Sequence, residues 1–308
     1  MRVAVIGAGA MGSIIGSSLA EGGADTTLVD VAAPLVEKIN TKGVLIERGG
    51  VERTIRIPAT TEPGAVGVVD AVVFFVKSYH SQGAASFAAP LVGPGTVVAT
   101  LQNGWGNGDL LARRFSPDQV VMGITYHSGT VVSPGHVRHT NTSDAPTLLG
   151  AYGGADTGAE ALAAAIRAGG LRADVFADIR TEIWKKLVLN SSSLPTSTLT
   201  RFSAGALARH GPMMELVDGL IAETVAVGRA QGFAVDEQER RESVHAILIG
   251  AGDGRASMLQ DIEAGRRTEI DVINGAVVRL GEQHAVDVPL NRAMLALVAG
   301  YEAANGIT

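Results

Sequence analysis

Residues 182–190 read EIWKKLVLN, two adjacent lysines inside an otherwise apolar helical pattern. On a helix, Lys186 and Asn190 stand four residues apart and project from one side, with Glu182 a turn earlier on the same row. Two chemistries fit this spacing. A lysine beside a carboxamide can serve as cation and proton donor to an oxygen that gains negative charge. Alternatively, Glu182 and Lys186 form a surface pair contributing about 0.2–0.5 kcal/mol. Lys185 lies about 100° further round the helix and is expected to be solvated, whereas Trp184 and Leu187 fall on a row that packs the helix down. Farther along, RASMLQDIEAGRRTEIDVINGAVV (residues 255–278) sets Ser257 and Glu269 on either side of a polar, glycine-containing stretch. A helix is expected to open at Glu269, with Ile270, Ile273 and Val277 on one face. The carboxylate there either meets the helix dipole or serves a site. Asp261, Arg266 and Arg267 read as surface charges.

A second constellation stands at the start of the chain. RVAVIG reads as a buried strand and runs into Gly7-Ala8-Gly9-Ala10-Met11-Gly12, a GxGxxG that opens a helix. The motif alone is weak, but it carries the required strand before and helix after. Gly7 permits the tight turn, Gly9 lets a pyrophosphate approach the backbone, and Gly12 lets helix and strand pack closely. The amides of Ala10 and Met11 at the helix N-terminus are suited to phosphate. The bland alternative is three glycines shaping a turn. Asp30 ends the next strand, where a carboxylate either accepts hydrogen bonds from the adenosine ribose or caps the following helix. In the first role it would repel a 2′-phosphate, favouring NAD over NADP. Lys77, Gln102, Asn103 and His127 follow later strands, at the edge where open α/β sheets bind ligands.

The elements that position these groups come in two textures. Up to about residue 175, short β-type runs (TTLVD, AVVFFV, TVVATL, VVMGITY) alternate with helical stretches, which implies a parallel sheet covered on both faces. VLIER and ERTIRIP flank Gly49-Gly50 as a hairpin. After LRADVFADI the period is helical to the end. The fold class is therefore α/β: an N-terminal Rossmann-like, doubly wound parallel sheet (residues 1–175) followed by an all-helical domain (residues 176–308) for substrate and dimer contacts.

Composition narrows the function classes. With 46% hydrophobic and 18% charged residues the chain can bury a sizeable core, and a net charge of −6 argues against nonspecific binding to nucleic acid or anionic membrane. The absence of cysteine excludes disulfides, thiolate metal sites and a cysteine nucleophile, in keeping with a cytoplasmic location. No metal is expected. The N-terminal glycines break up what would otherwise resemble a signal peptide, and no run reaches the ~18–20 apolar residues of a membrane span.

Taken together, GAGAMG, LQNGWGN, EIWKKLVLN and SMLQDIEAGRRTEIDVINGAVV resemble the ketopantoate reductase (2-dehydropantoate 2-reductase) family over essentially the whole chain. The last two motifs are far more specific than the first. The resemblance implies a Rossmann domain followed by a helical domain, and reduction of a 2-keto acid to a 2-hydroxy acid with a nicotinamide cofactor, usually NADPH. By motif, Lys186 matches the catalytic lysine and Glu269 the acid that orients it. Asn190 matches the asparagine for the substrate hydroxyl, and Ser257 the serine for its carboxylate. Lys77 and Asn103 match the cofactor-side lysine and asparagine, Asn103 also being counted on the substrate side. His127 receives no role. Two departures bear on substrate and cofactor. Many members carry an Asn-Pro where this chain has Leu194-Pro195, leaving Ser191, Ser192 or Ser193 to substitute, and Asp30 stands where an arginine is often near. An NAD-dependent dehydrogenase of the same family with another hydroxy or keto acid substrate is thus the alternative. A non-catalytic nicotinamide-binding sensor is a remote third, opposed by the retained Lys186, Asn190, Ser257 and Glu269.

Overall fold

The computed structural model describes residues 1–140 and 145–307. The chain divides into two compact units, Met1–Gln102 with Asn107–Ile179 and Asn103–Gly106 with Arg180–Thr308.

The first unit is α/β. Its strands are β1 (Arg2–Ile6), β2 (Asp25–Val29), β3 (Val44–Arg48), β4 (Val51–Ile55), β5 (Ala59–Thr60), β6 (Ala71–Phe74), β7 (Val97–Thr100), β8 (Val120–Thr125), β9 (Gly129–Ser133), β10 (His136–His139), β11 (Thr147–Ala151) and β12 (Ala173–Val175). Eight of them form the main sheet in the order β12-β11-β8-β7-β6-β1-β2-β5. The run β8-β7-β6-β1-β2-β5 is parallel throughout, so the carboxyl ends of β1, β2, β6, β7 and β8 share one edge. The chain winds outward from β1 to β2 and then returns to the other side of β1 as β6. That makes the end of β1 a topological switch point, where such sheets bind ligands. Residues of β1, β6 and β7 such as Val5, Val72, Val73, Phe74 and Val98 are fully buried, which explains why these strands read as continuous apolar runs rather than alternating ones.

The doubly wound sheet is as the sequence implies, with two additions. β11 runs antiparallel to β8, and the β3–β4 hairpin is extended by β9 and β10 into a separate four-stranded sheet. The strands β9 (GTVVS) and β10 (HVRH) are short and half-exposed, so no long apolar run announces them. The helices of this unit are α1 (Ala10–Glu21), α2 (Ala33–Lys42), α3 (Pro63–Val66), α4 (Ser81–Phe87), α5 (Asn107–Ala112) and α6 (Thr157–Ala168). Pro34 in the first turn starts α2, and Gly43, at φ +81°, ends it.

The second unit carries α7 (Ile179–Thr200, whose first residue belongs to the α/β unit), α8 (Ala204–Ala208), α9 (Gly211–Ala230), α10 (Glu237–Ala251), α11 (Ser257–Glu263), α12 (Asn274–Gln283) and α13 (Pro289–Ala304). Its core gathers Trp184, Leu187 and Val188 of α7, Ile221 and Val225 of α9, and Ile270, Ile273 and Val277. The polar face of α7 is also buried, including Ser191, Ser192, Thr196 and Ser197. Burial is tolerable because several of these hydroxyls donate to carbonyls one turn back, for example Ser192 to Val188 at 2.8 Å and Thr196 to Ser192 at 2.8 Å. Among the described residues no helix is long and apolar enough to cross a membrane.

Candidate active site

The glycine loop sits at the end of β1 and is shaped as a dinucleotide site requires. Gly7 adopts φ +96°, and a side chain there would press on the Val76 backbone at 3.1 Å. A Cβ on Gly12 would overlap the Gly7 carbonyl oxygen, so only glycine lets α1 start this close to β1. Gly9 differs, because a Cβ there meets no protein atom within 4 Å. It is exposed, and it precedes the first turn of α1, which carries no side-chain cap and no acidic residue. The unpaired amides and partial positive charge of that turn suit the pyrophosphate of a dinucleotide. These residues therefore fit a nicotinamide dinucleotide.

Two substitutions separate the roles of these glycines. Gly12→Ala is expected to lower stability by about 1–3 kcal/mol through overpacking and to weaken binding of the nicotinamide cofactor. Gly9→Ala is expected to keep the melting temperature and lose the cofactor. Thermal denaturation and calorimetric titration of both variants check this.

Asp30 is tied to the loop. One carboxylate oxygen accepts the Ala8 N–H at 2.8 Å, and the other accepts the Ala32 N–H at 3.0 Å. It thus stands beside the glycine loop as a fixed negative charge, while also satisfying the amide that leads into α2. Lys77 follows the short bend after β6 and is half-buried. Gln102 plays a structural part at the same edge, donating to the Val76 carbonyl at 2.6 Å and to Ser81 Oγ at 2.7 Å. His127 is buried after β8, its Nδ1 3.1 Å from Nε2 of His139 on β10. Burial first, then His127 and then Arg48, push His139 down to about 4, so that ring is neutral at physiological pH. The sequence offered no signal for this pair, because β10 itself was not legible.

The second cluster lies wholly in the helical unit. Glu182 pairs with Lys185 at 2.8 Å rather than with Lys186, which removes the surface-pair reading of Lys186. Lys186 is buried, and its Nζ donates to Asn103 Oδ1 at 2.9 Å. Burial pushes its ammonium down from 10.5 to about 8, while the Glu269 carboxylate pulls the other way. Asn190, one turn on, is buried, and among the described residues its carboxamide makes no hydrogen bond to protein.

Asn103 reaches this cluster because the segment Asn103–Gly106 packs with the helical unit. Gly104, at φ +86°, passes so close to Val272 that a Cβ would lie 2.7 Å from its carbonyl oxygen, and the Trp105 N–H donates to that oxygen at 2.9 Å. Trp105 then stacks edge-on against Trp184 at 5.0 Å and Phe233 at 5.4 Å.

Glu269 is placed differently from the sequence expectation. It precedes a three-residue 3-10 turn, Ile270–Val272, and α12 begins only at Asn274, so no helix dipole meets it. Its backbone is held instead through Thr268, whose N–H donates to buried Glu302 of α13 at 2.6 Å. Glu302 was not anticipated; a charged residue near the chain end carries no motif. Asp261, expected at the surface, is buried and paired with Arg266 at 3.1 Å. Ser257 opens α11 as an exposed residue and shares no hydrogen bond with Lys186, Asn103 or Glu269 among the described residues.

At Leu194 the wall beyond Asn190 is apolar, the side chain packing against the helical core. The neighbouring serines are turned inward: Ser191 lies 3.0 Å from Thr224 Oγ1, and Ser193 donates to the Leu189 carbonyl at 2.6 Å.

Both halves of the chain resemble known proteins. The family model described as ketopantoate reductase PanE/ApbA matches residues 3–154, and its C-terminal counterpart matches residues 178–302. A 2-dehydropantoate 2-reductase of Halobacterium salinarum is 34% identical over 300 residues, covering 97% of this chain and 98% of that protein. One from Archaeoglobus fulgidus is 32% identical, covering 98% of each. Among solved structures, a D-mandelate dehydrogenase with NADH and anilino(oxo)acetate superposes with a TM-score of 0.94 at 25% identity, over 100% of both chains. A PanE/ApbA family ketopantoate reductase from Ralstonia eutropha superposes with a TM-score of 0.89 at 31% identity, over 99% of this chain and 100% of that one. With both halves matched in order along nearly its whole length, the chain belongs to the ketopantoate reductase family of nicotinamide-dependent keto and hydroxy acid oxidoreductases.

Proposed function

We propose that this enzyme interconverts a small 2-keto acid and its 2-hydroxy acid with Lys186 as the proton donor, ketopantoate being the default substrate. The observation that carries this reading is a buried ammonium, hydrogen-bonded to Asn103 and drawn down towards neutrality. A bound nicotinamide supplies the hydride in reduction and accepts it in oxidation. Negative charge then grows on the substrate oxygen, and Lys186 neutralises it by charge and by proton transfer. Asn103 aims the ammonium, and the Glu269 charge keeps it protonated near neutral pH. The carboxamide of Asn190, uncommitted to protein, takes the substrate hydroxyl, and the exposed Ser257 takes its carboxylate. Lys77, at the carboxyl edge of the sheet, meets the cofactor.

The cofactor we assign is NAD. A carboxylate held by the Ala8 and Ala32 amides cannot swing away from an incoming 2′-phosphate, so repulsion is built in. Asp30→Ser is expected to narrow the kcat/KM preference for NADH over NADPH by about tenfold, equivalent to about 1.4 kcal/mol. An unchanged ratio in steady-state assays refutes the assignment.

Leu194 supports a second reading, a family member acting on a keto acid whose side chain is apolar. The inward-turned serines leave that wall without a replacement for the missing asparagine amide. The D-mandelate dehydrogenase likeness points the same way. Cofactor absorbance followed with ketopantoate and a panel of branched and aryl 2-keto acids, each with NADH and NADPH, separates the readings. Efficient ketopantoate reduction with NADPH sinks the second.

A further inference from the structure

Pro195 lies inside α7 and has no N–H, so the carbonyl of Ser191, four residues back, loses its helical donor. That carbonyl is not left bare. Asn274, fully buried at the first position of α12, donates its Nδ2 to the Ser191 oxygen at 2.9 Å. The same Nδ2 donates to Asn291 Oδ1 at 3.0 Å. Asn291, also fully buried, donates its own Nδ2 to Glu223 Oε2 at 2.8 Å. Glu223 of α9 in turn accepts the Leu290 N–H at 2.8 Å and the Asn291 N–H at 2.9 Å in the first turn of α13. Both partners of Asn274 Nδ2 are acceptors, which dictates the orientation of the carboxamide and leaves its Oδ1 without a partner among the described residues.

We infer that Asn274 is a positioning residue for the active site: its carboxamide replaces the amide that Pro195 lacks and locks α7 to the segment that carries Glu269. Ser191 adjoins Asn190 and lies five residues beyond Lys186, whereas Asn274 lies five residues beyond Glu269 on the chain that enters α12. The bond therefore sets how far the Lys186 and Asn190 row stands along α7 relative to the Glu269 carboxylate. An ordinary helical bond at this point would be made within α7 and would tie it to nothing else. Proline thus exports one hydrogen bond from the helix to its neighbour, and the Glu223–Asn291 relay anchors the far end. This role rests on the reading of Lys186 as proton donor, but the bond itself does not.

The test is a double-mutant cycle between Asn274→Ala and Pro195→Ala, because Pro195→Ala restores a backbone N–H that can satisfy the Ser191 carbonyl without Asn274. In the wild-type background Asn274→Ala is expected to lower the melting temperature by roughly 3–8 °C. It is also expected to lower kcat by about tenfold and move the alkaline limb of the pH–kcat profile. In the Pro195→Ala background both losses should shrink. Asn274→Asp, nearly isosteric but set against two acceptors, should behave as badly as Asn274→Ala. A double variant as unstable as Asn274→Ala, or unable to fold, overturns the replacement. Lowered stability with kcat and pH profile unmoved makes Asn274 merely structural and overturns the positioning role. Activity of Lys186→Ala, measured alongside, separates these outcomes from failure of the lysine assignment.

Discussion

Lys186→Ala is expected to lower kcat by roughly 10²–10⁴-fold, the range of a positioned general acid, while leaving NAD(H) affinity unchanged. Cofactor binding should survive because the glycine loop and Asp30 lie in the other unit, where the Asp30 carboxylate is held by the Ala8 amide. Lys186→Arg sharpens the test. A guanidinium keeps the positive charge but does not release its proton near neutral pH, so charge alone would rescue it and proton donation would not. We expect Lys186→Arg to stay close to Lys186→Ala. Single-turnover rates and cofactor titrations measure both quantities, and wild-type turnover in Lys186→Ala excludes the proton-donor role.

The pH dependence follows from the same group. Burial lowers the Lys186 ammonium from 10.5 to about 8. Reduction needs the protonated amine, so kcat for the keto acid is expected to be level below that value and to fall above it. Oxidation of the hydroxy acid needs the neutral amine and is expected to rise through the same range. Glu269 opposes the effect of burial, so removing its charge moves both limbs towards acid. Glu269→Gln should show that displacement, whereas Glu269→Ala should also loosen the lysine and cost up to about 10²-fold in kcat. A limb that stays in place when Glu269→Gln is assayed would mean that another group titrates.

Much of this was legible in the residues. The parallel core was readable because β1, β6 and β7, apart from Arg2 and Thr100 at their ends, are apolar and are buried on both faces along most of their length. GxGxxG was readable because each glycine answers a local steric demand, and the Lys186–Asn190 row because helical periodicity is local. What sequence spacing could not supply was the partner of each charge. Glu182 was equally placed to meet Lys186 at four residues or Lys185 at three, and rotamer and burial chose Lys185. Glu269 looked like the start of a helix, yet the chain spends a 3-10 turn before α12 so that Val272 can receive the Trp105 amide.

The sequence by itself determined the two-part fold, the glycine turn after β1 and the Lys186–Asn190 row of α7, since these depend on short-range backbone sterics and periodicity. Tertiary structure decided which lysine is removed from water, that Asn103 joins it across 83 residues of sequence, and that Asn274 answers for the amide missing at Pro195. Such choices depend on desolvation and on donors and acceptors meeting over long sequence separations, and neither is encoded in the spacing of neighbouring residues.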